Sequence, residues 1–168
     1  MGCSLVSEDD SDFVREQLRR LYWLISEESG GICWRAPECM AEIVHAQPER
    51  FADYLSIAFH LITSLEEEDL GHFRAGALWA VGRLAHEARE DRGDVLPAVV
   101  VALDNNDPQV RGMAAWCLEE MNETGLLARR ADLLTDDGPV DLYEKQRIMR
   151  TTVGSLVRMA LAPETARG

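Results

Sequence analysis

Three side chains that commonly bind metal ions fall within a short stretch of the sequence, at Cys33, Cys39 and His45. Structural zinc is held by four such ligands, and its cysteines usually come in pairs two to four residues apart. The two cysteines here have five residues between them. Cys39 and His45 would lie about 600° apart around one helix, on different faces. The spacing therefore argues against a metal site, and the sequence predicts no cofactor.

The stretch "ESGGICWRAPE", residues 28–38, separates two amphipathic segments. Pro37 fits the first turn of a helix, where a missing N–H costs nothing, and Glu38 would sit at the positive helix end. Three interpretations are open: an elaborated helix–helix turn, a shaped loop with Trp34 and Arg35 as recognition residues at one rim, or a metal site. The helix signals favour the turn.

Motifs that would indicate a particular reaction do not occur in the sequence. It contains no phosphate-binding loop, no nucleophile elbow, no His-Glu-x-x-His and no dinucleotide-binding fingerprint. Its acidic groups, Glu27-Glu28 and residues 66–69, have the character of solvated turn ends. No catalytic residue is predicted, and the sequence favours a binding protein over an enzyme.

The balance of charge limits the partners of this chain. Its 168 residues include 17 basic and 30 acidic side chains, which gives a formal charge of −13. Nucleic-acid binding needs a basic surface that displaces counterions from phosphates, and anionic membranes disfavour an acidic protein for the same reason. The sequence therefore predicts no nucleic-acid partner and no membrane partner. Arg129-Arg130 and the segment Lys145–Arg158 are nevertheless locally basic.

The composition indicates one globular domain. Hydrophobic residues make up 46% and charged residues 28%, as in ordinary soluble proteins. No apolar run approaches the roughly 18–20 residues of a membrane helix, and the acidic N-terminus lacks the apolar core of a signal peptide. Irregularly spaced cysteines do not indicate a disulfide framework, which favours the cytoplasm. We expect a tail at 1–10, one domain at 11–161 and a tail at 162–168.

Apolar residues recur at helical spacing along nearly the whole chain. The segment "VLPAVVVAL" could pass for a buried strand, but Pro97 within it argues against a strand and fits the first turn of a helix. No other segment shows convincing alternation with a period of two. Breaks such as "AQPE", "EDRGD", "NNDP" and "TDDGP" divide the chain into about eight helices joined by short turns.

Two of these helices share a sequence pattern. "HFRAGALWAVGRL" and "QVRGMAAWCLEEM" place their arginines, Arg74 and Arg111, 37 residues apart, and each has a tryptophan five residues after the arginine. Looser copies are "CMAEIVHA" from Cys39 and "MRTTVGSL" from Met149. Repeats of this length typically form helical hairpins that bury a continuous core only when they stack.

The stretch "DPQVRGMAAWCLEEM" resembles the second half of a HEAT-type repeat, with the pattern Asp-Pro-x-Val-Arg-x-x-Ala-Ala-x-Ala-Leu. The matching positions are Asp107, Pro108, Val110, Arg111, Ala114, Ala115 and Leu118. The resemblance implies an all-α fold, a right-handed α-solenoid of about four HEAT-like helical hairpins. It also implies that the turn aspartate and the arginines form a hydrogen-bonded ladder between repeats, which would make Asp107, Arg74 and Arg111 structural.

The resemblance extends to bacterial proteins with phycobilin-lyase-type HEAT repeats. Such relatives imply a possible enzyme or a protein that handles a cofactor, but we find no residue signature for lyase activity in this chain. Other HEAT-like proteins are glycosylases that remove alkylated bases from DNA. That activity needs a basic groove, which the charge of −13 opposes.

The two repeated tryptophans are the most informative candidates for a binding site. Trp79 lies about 200° around its helix from Ala77, away from the main apolar stripe, and Trp116 is placed equivalently. In a stack of hairpins the two would be neighbours on the concave layer, with Arg83 and Glu120 one turn further on. Exposed tryptophans in a groove are typical anchors for a protein partner. Alternatively, each indole lies flat and fills space between adjacent helices.

From these observations we expect a small cytoplasmic scaffold or adaptor that binds a protein or peptide on the concave face. The candidate contact residues are Trp79, Trp116, Arg83 and Glu120, with Trp34 and Arg35 at one rim. The alternatives are the enzyme or cofactor-handling protein above, and self-association through a terminal repeat. If the protein self-associates, the contact would be formed by Met149, Val153 and Leu156 of repeat four.

Overall fold

The computed structural model describes residues 11–26, 35–65, 71–144 and 146–162. The two predicted tails therefore lie almost entirely outside the described residues, as does Trp34. Eight α-helices occur in the described part: α1 (Ser11–Ser26), α2 (Ala36–Ala46), α3 (Ala52–His60), α4 (Gly71–Leu84), α5 (Arg92–Ala102), α6 (Pro108–Glu120), α7 (Thr124–Leu127) and α8 (Val153–Leu161). None of the helices in this part is long and apolar enough to cross a membrane.

The helices pack as four consecutive hairpins. α1 contacts α2, α3 contacts α4, α5 contacts α6 and α7 contacts α8. The second members, α2, α4, α6 and α8, also pack side by side in chain order, and we call this row the second-helix layer. One continuous hydrophobic cluster runs from α1 to α8. The predicted all-α stack of about four helical hairpins is therefore confirmed.

The fourth hairpin differs from the prediction because a small sheet interrupts it. Strands β1 (Pro139–Glu144) and β2 (Arg147–Thr152) form an antiparallel hairpin between α7 and α8. The expectation of a helix from Met149 was wrong, and so was the statement that alternation is absent. Buried Val140 and Leu142 alternate with exposed neighbours in β1. This alternation covers so few residues that the helical periodicity of the rest of the chain outweighed it.

Helix α8 begins at Val153, four residues after Met149, where the looser repeat copy begins. Its N-cap is Thr152, whose side-chain oxygen accepts a hydrogen bond from the Ser155 N–H at 3.2 Å. This arrangement satisfies a backbone donor that the first turn of a helix leaves open. Val153 and Leu156 are buried in the core, at 0% and 2% exposure. They cannot form the proposed self-association surface, and only Met149 of that set is exposed.

The position of Pro97 is also different from the prediction. α5 begins at Arg92, so Pro97 lies inside the helix and not in its first turn. A proline there lacks the N–H that would bond to the carbonyl of Gly93 four residues earlier. Gly93 and Pro97 are both exposed, and water can therefore satisfy the carbonyl that loses its partner.

Candidate functional site

Trp79 and Trp116 stack against each other within the second-helix layer. Their ring centroids are 5.9 Å apart and their planes differ by 9°. Gly82 makes this approach possible, because a Cβ atom there would lie 2.5 Å from Cζ3 of Trp116. Only 4% of Trp79 and 6% of Trp116 is exposed. The interpretation as exposed anchors is therefore wrong, and the indoles instead fill space between α4 and α6.

The β-hairpin packs on Trp79 of this pair through the edge of β1. The Trp79 indole N–H donates to the carbonyl oxygen of Tyr143 at 2.9 Å, and the Tyr143 ring lies 5.8 Å from that of Trp79. The Gln109 side chain of α6 meets the backbone of Asp141 twice. Its Nε2 donates to the Asp141 carbonyl at 3.0 Å, and its Oε1 accepts from the Asp141 N–H at 2.8 Å. Gln109 thus makes the two hydrogen bonds that a neighbouring strand would make to this edge of β1.

A pocket of about 240 Å³ remains where the hairpin meets α2, α4 and α6. Tyr143 and Trp79 form part of its wall, together with Met113. Its polar groups come from four elements, namely Arg35 and Glu38 at the start of α2, His72 of α4, Gln109 of α6 and Asp141 of β1. The pocket therefore combines aromatic surface with two carboxylates, one guanidinium and one imidazole.

The start of α2 places Arg35 and Glu38 at the pocket. Arg35 precedes α2 with a left-handed backbone, at φ 55° and ψ 21°, and its Nη1 lies 3.1 Å from Oε1 of Glu38. The Arg35 side chain is 56% exposed, whereas that of Glu38 is 13% exposed. Gly76 of α4 makes room for the carboxylate, because a Cβ atom there would lie 2.6 Å from Glu38 Oε2. Arg35 thus stands at the rim of this pocket.

Burial raises the pKa of the Glu38 carboxyl, while its own backbone N–H and the charge and hydrogen bond of Arg35 partly offset that rise. We expect a carboxyl NMR titration to place the Glu38 midpoint above the ordinary value of 4.5. Arg35→Ala should move it further upward, because the carboxylate then loses its neighbouring positive charge. Arg89→Ala, which removes an exposed arginine away from this pocket, should leave the midpoint in place. A downward shift in Arg35→Ala would contradict this assignment.

Arg83 and Glu120 are not among the residues that line this pocket. Arg83 Nε is 2.7 Å from Glu42 Oε1, so it links α4 to α2. Partial burial raises the pKa of Glu120, the nearby Glu119 and Glu144 carboxylates add to the rise, and Arg83 opposes it. Glu120 therefore lies near Arg83 and near Glu144 of β1.

Of the residues assigned to the structural ladder, Asp107 lies in the turn between α5 and α6, whereas Arg74 and Arg111 lie within α4 and α6. Asp107 is the N-cap of α6, and its Oδ1 accepts from the Gln109 N–H at 2.9 Å. Arg111 Nε donates to Asp136 at 2.8 Å, and Arg111 Nη1 donates to the carbonyls of Asn105 and Asn106. Asp136, which was not predicted, thus supplies the acidic group of the next turn. Arg74 lies in α4 and is partly buried.

Of the three side chains considered as metal ligands, Cys33 lies outside the described residues. Cys39 is exposed, and His45 Nδ1 lies 2.8 Å from Glu87 Oε1. A different set, His60, Asp91 and Asp94, has possible ligand atoms within 4.8 Å of one another. Its two carboxylates lie at the N-cap and in the first turn of α5, where they complement the helix dipole. Their placement therefore has an explanation without a metal ion.

Sequence reasoning missed most of the pocket. Arg35 and Trp79 were candidates, but His72, Gln109, Asp141 and Tyr143 were not. The alternation of Val140 and Leu142 was the available signal for β1. Nothing in the sequence indicates that a glutamine of α6 would bond to its backbone, because the two segments are 32 residues apart.

Comparison with known proteins supports the repeat architecture. A family model described as a HEAT-like repeat matches residues 72–121, which include α4, α5 and α6. A search of the curated proteins and a search of the solved structures found no match to this chain. The match covers the two most similar repeats and confirms the resemblance predicted from "DPQVRGMAAWCLEEM". Residues 72–121 are thus similar to a HEAT-like repeat, within a stack of helical hairpins.

Proposed function

We propose that this protein is a small scaffold or adaptor in the cytoplasm, and that the pocket between α2, α4, α6 and β1 holds a side chain of its protein partner. HEAT-like repeats commonly mediate protein interactions, and stacked repeats bind through extended surfaces. Both tryptophans are buried and the hairpin packs on Trp79, so the proposed contact moves from the predicted tryptophan surface to the pocket beside it. Arg35 and Trp79 remain part of the site.

The partner side chain is lysine or arginine. The observation that carries this step is the pairing of Glu38 and Asp141 with the aromatic surface of Tyr143 and Trp79 in one pocket. A long basic side chain packs its aliphatic stem on apolar surface and keeps its charge beside carboxylates. The formal charge of −13 attracts a basic segment over longer distances. Arg35 already pairs with Glu38 at the rim, and we expect the incoming cation to compete with it.

The lyase-like alternative has weaker support. An enzyme or cofactor-handling protein would be favoured by several carboxyls with perturbed pKa in one polar pocket. Burial raises the pKa of Glu38, which lines the pocket, and that of Glu120, which lies outside its lining. These two carboxyls are therefore not gathered in one site, and Glu38 is already paired with Arg35.

The test is a titration with hexalysine peptide, followed through the indole N–H signal of Trp79 in a ¹H–¹⁵N spectrum. We expect a saturable shift of that signal, and no shift with hexaglutamine peptide. Asp141→Asn removes the charge but keeps the backbone bonds to Gln109, and it should weaken binding by about two- to fivefold, as for an exposed ion pair. Glu38→Gln should weaken it at least as much.

The matched control is Asp94→Asn, which also removes one negative charge but lies on α5, outside the pocket. We expect less than about a twofold change, since a distant exposed charge is largely screened at physiological salt. Equal losses of hexalysine affinity in Asp94→Asn and Asp141→Asn would show that the peptide is attracted only by the overall negative charge. Equal binding of hexalysine and hexaglutamine would contradict the proposed side-chain class.

A further inference from the structure

The outer edge of β2 has backbone groups with no hydrogen-bond partner among the residues that the structure describes. Asp141 directs both its N–H and its carbonyl away from β2, towards Gln109. The residue opposite Asp141 is Arg150. Opposed residues of an antiparallel ladder either exchange both hydrogen bonds or exchange neither. Arg150 therefore also points its N–H and carbonyl away from its partner strand, towards the open side.

The opposed pair Tyr143 and Ile148 leads to the same conclusion about the edge of β2 from a separate hydrogen bond. The carbonyl of Tyr143 accepts from the Trp79 indole and is thus directed away from β2, and Tyr143 is opposite Ile148. Ile148 and Arg150 then present two N–H groups and two carbonyls at one edge. Within the described part of the chain, none of these four groups has a backbone hydrogen bond.

The side chains along this edge are also open to solvent. Ile148 is 64% exposed and Met149 is 42% exposed, and they stand between exposed Arg147 and Arg150. Natural proteins usually cover or shorten such edges, because an open strand pairs readily with another chain. Here a six-residue strand combines open backbone groups with two neighbouring apolar side chains, which is the requirement for strand addition.

We infer that β2 accepts an extended segment of a second protein as a third strand, and that this segment carries the pattern acidic–apolar–apolar–acidic. The two apolar residues would pair with Ile148 and Met149, and the acidic ones with Arg147 and Arg150. Opposite charges across strands stabilise a pair, whereas like charges destabilise it. Residues 145–162 contain four basic side chains and no acidic one, in a chain of formal charge −13.

The acidic residues of β1 do not use all the hydrogen-bonding capacity of Arg147 and Arg150. Asp141 lies 3.9 Å from Arg150 Nε, and both side chains are more than half exposed. Glu144 is opposite Arg147 in the sheet register. Exposed pairs of this kind contribute about 0–1 kcal/mol. An incoming carboxylate on the open side can therefore contact each arginine without displacing a strong bond.

A second copy of this chain is a poorer occupant of the edge. The sequence Arg-Ile-Met-Arg of residues 147–150 has the same charge pattern in both directions. A second β2 paired in register would set arginine opposite arginine in either orientation, which is unfavourable. The charge pattern therefore favours an acidic segment over self-association.

The probe for this inference is the capped peptide Thr-Glu-Val-Val-Glu-Thr, with binding measured by calorimetry. Two further peptides carry N-methyl groups on alternate residues, one on the odd positions and one on the even positions. Only one set of amides can face β2 in an added strand, since successive N–H groups point to opposite edges. We expect one N-methylated peptide to lose at least about tenfold in affinity, because each lost hydrogen bond costs about 0.5–1.5 kcal/mol. The other should bind like the parent.

The charge requirement is tested with the double variant Arg147→Gln/Arg150→Gln. Its matched control is Arg89→Gln/Arg129→Gln, which removes the same charge from exposed sites outside the hairpin. We expect about a tenfold loss in the first variant and less than about twofold in the second. Thermal unfolding should be similar in both, because all four side chains are exposed.

Three results would overturn the inference. The first concerns the peptides: either the parent peptide does not bind, or the two N-methylated peptides bind with equal affinity. The second is an equal loss in the two double variants. The third is a concentration-dependent dimer of the wild-type protein without peptide that disappears in Ile148→Pro, because it would show that a second copy occupies the edge. The pocket variants Asp141→Asn and Glu38→Gln do not enter this test, so it can fail independently of the proposed function.

Discussion

Replacing Trp116 with alanine is expected to lower the free energy of unfolding by about 3–5 kcal/mol. Its indole is 6% exposed, it stacks on Trp79, and it lies directly over Gly82. The gap in α4 that accepts the ring is formed by Gly82, which has no side chain to fill it when the ring is removed. The loss should appear as a lower urea midpoint with an unchanged slope.

The matched control is Trp23→Ala on α1. Trp23 is 59% exposed, so its removal should change the free energy of unfolding by no more than about 0.5 kcal/mol. The comparison separates the loss of a tryptophan as such from the loss of one packed between repeats. Similar stability of Trp116→Ala and wild type would contradict the packing role, and it would restore the tryptophan pair as a binding surface.

The second large effect is expected at Arg111. Its guanidinium joins Asp136 to the carbonyls of Asn105 and Asn106, and the side chains of the ion pair are only 19% and 15% exposed. Arg111→Ala leaves a carboxylate and two carbonyls without this donor, and it should lower the free energy of unfolding by about 2–4 kcal/mol. Arg83→Ala is the control, because its pair with Glu42 is about a third exposed on both sides. We expect a loss of about 0.2–1 kcal/mol there.

The effect of Arg111→Ala should also depend on pH. The hydrogen bond from Arg111 is the main cause of the lowered pKa of Asp136, and the Gly138 N–H and the Arg111 charge act in the same direction against partial burial. A carboxyl with a lowered folded pKa stabilises the protein above its ordinary value of 3.8 and loses that contribution as the pH falls through the folded pKa. The difference between wild type and Arg111→Ala should therefore shrink in acid below about pH 4. A constant difference between pH 7 and pH 3 would exclude the ion pair as its source.

The two proposed surfaces differ in the charge they select. The pocket has Glu38 and Asp141 and is expected to take a basic side chain, whereas the edge of β2 has Arg147 and Arg150 and is expected to pair with an acidic segment. The hairpin contributes to both surfaces, because β1 forms a wall of the pocket and β2 forms the open edge. An adaptor that holds two different partners would need two such separate surfaces.

The repeat sequence by itself determined the helical architecture. Helical periodicity, the punctuation between segments and the spacing of Arg74 and Arg111 are local properties, and they persist whatever the rest of the chain does. The N-cap role of Asp107 follows in the same way from "DP" before a helix. These features predicted the stack of four hairpins correctly.

The tertiary structure alone decided what covers the second-helix layer. The sequence placed Trp79 and Trp116 as neighbours, but it left open whether they are exposed, because the answer depends on a hairpin more than 20 residues further along the chain. The strand signal in β1 is short, and the contact that holds it, Gln109 to the backbone of Asp141, has no local signature. The pocket likewise joins residues from Arg35 to Tyr143. Such long-range contacts arise only when the hairpin packs on the stack, and for that reason the sequence predicted the fold but not the site.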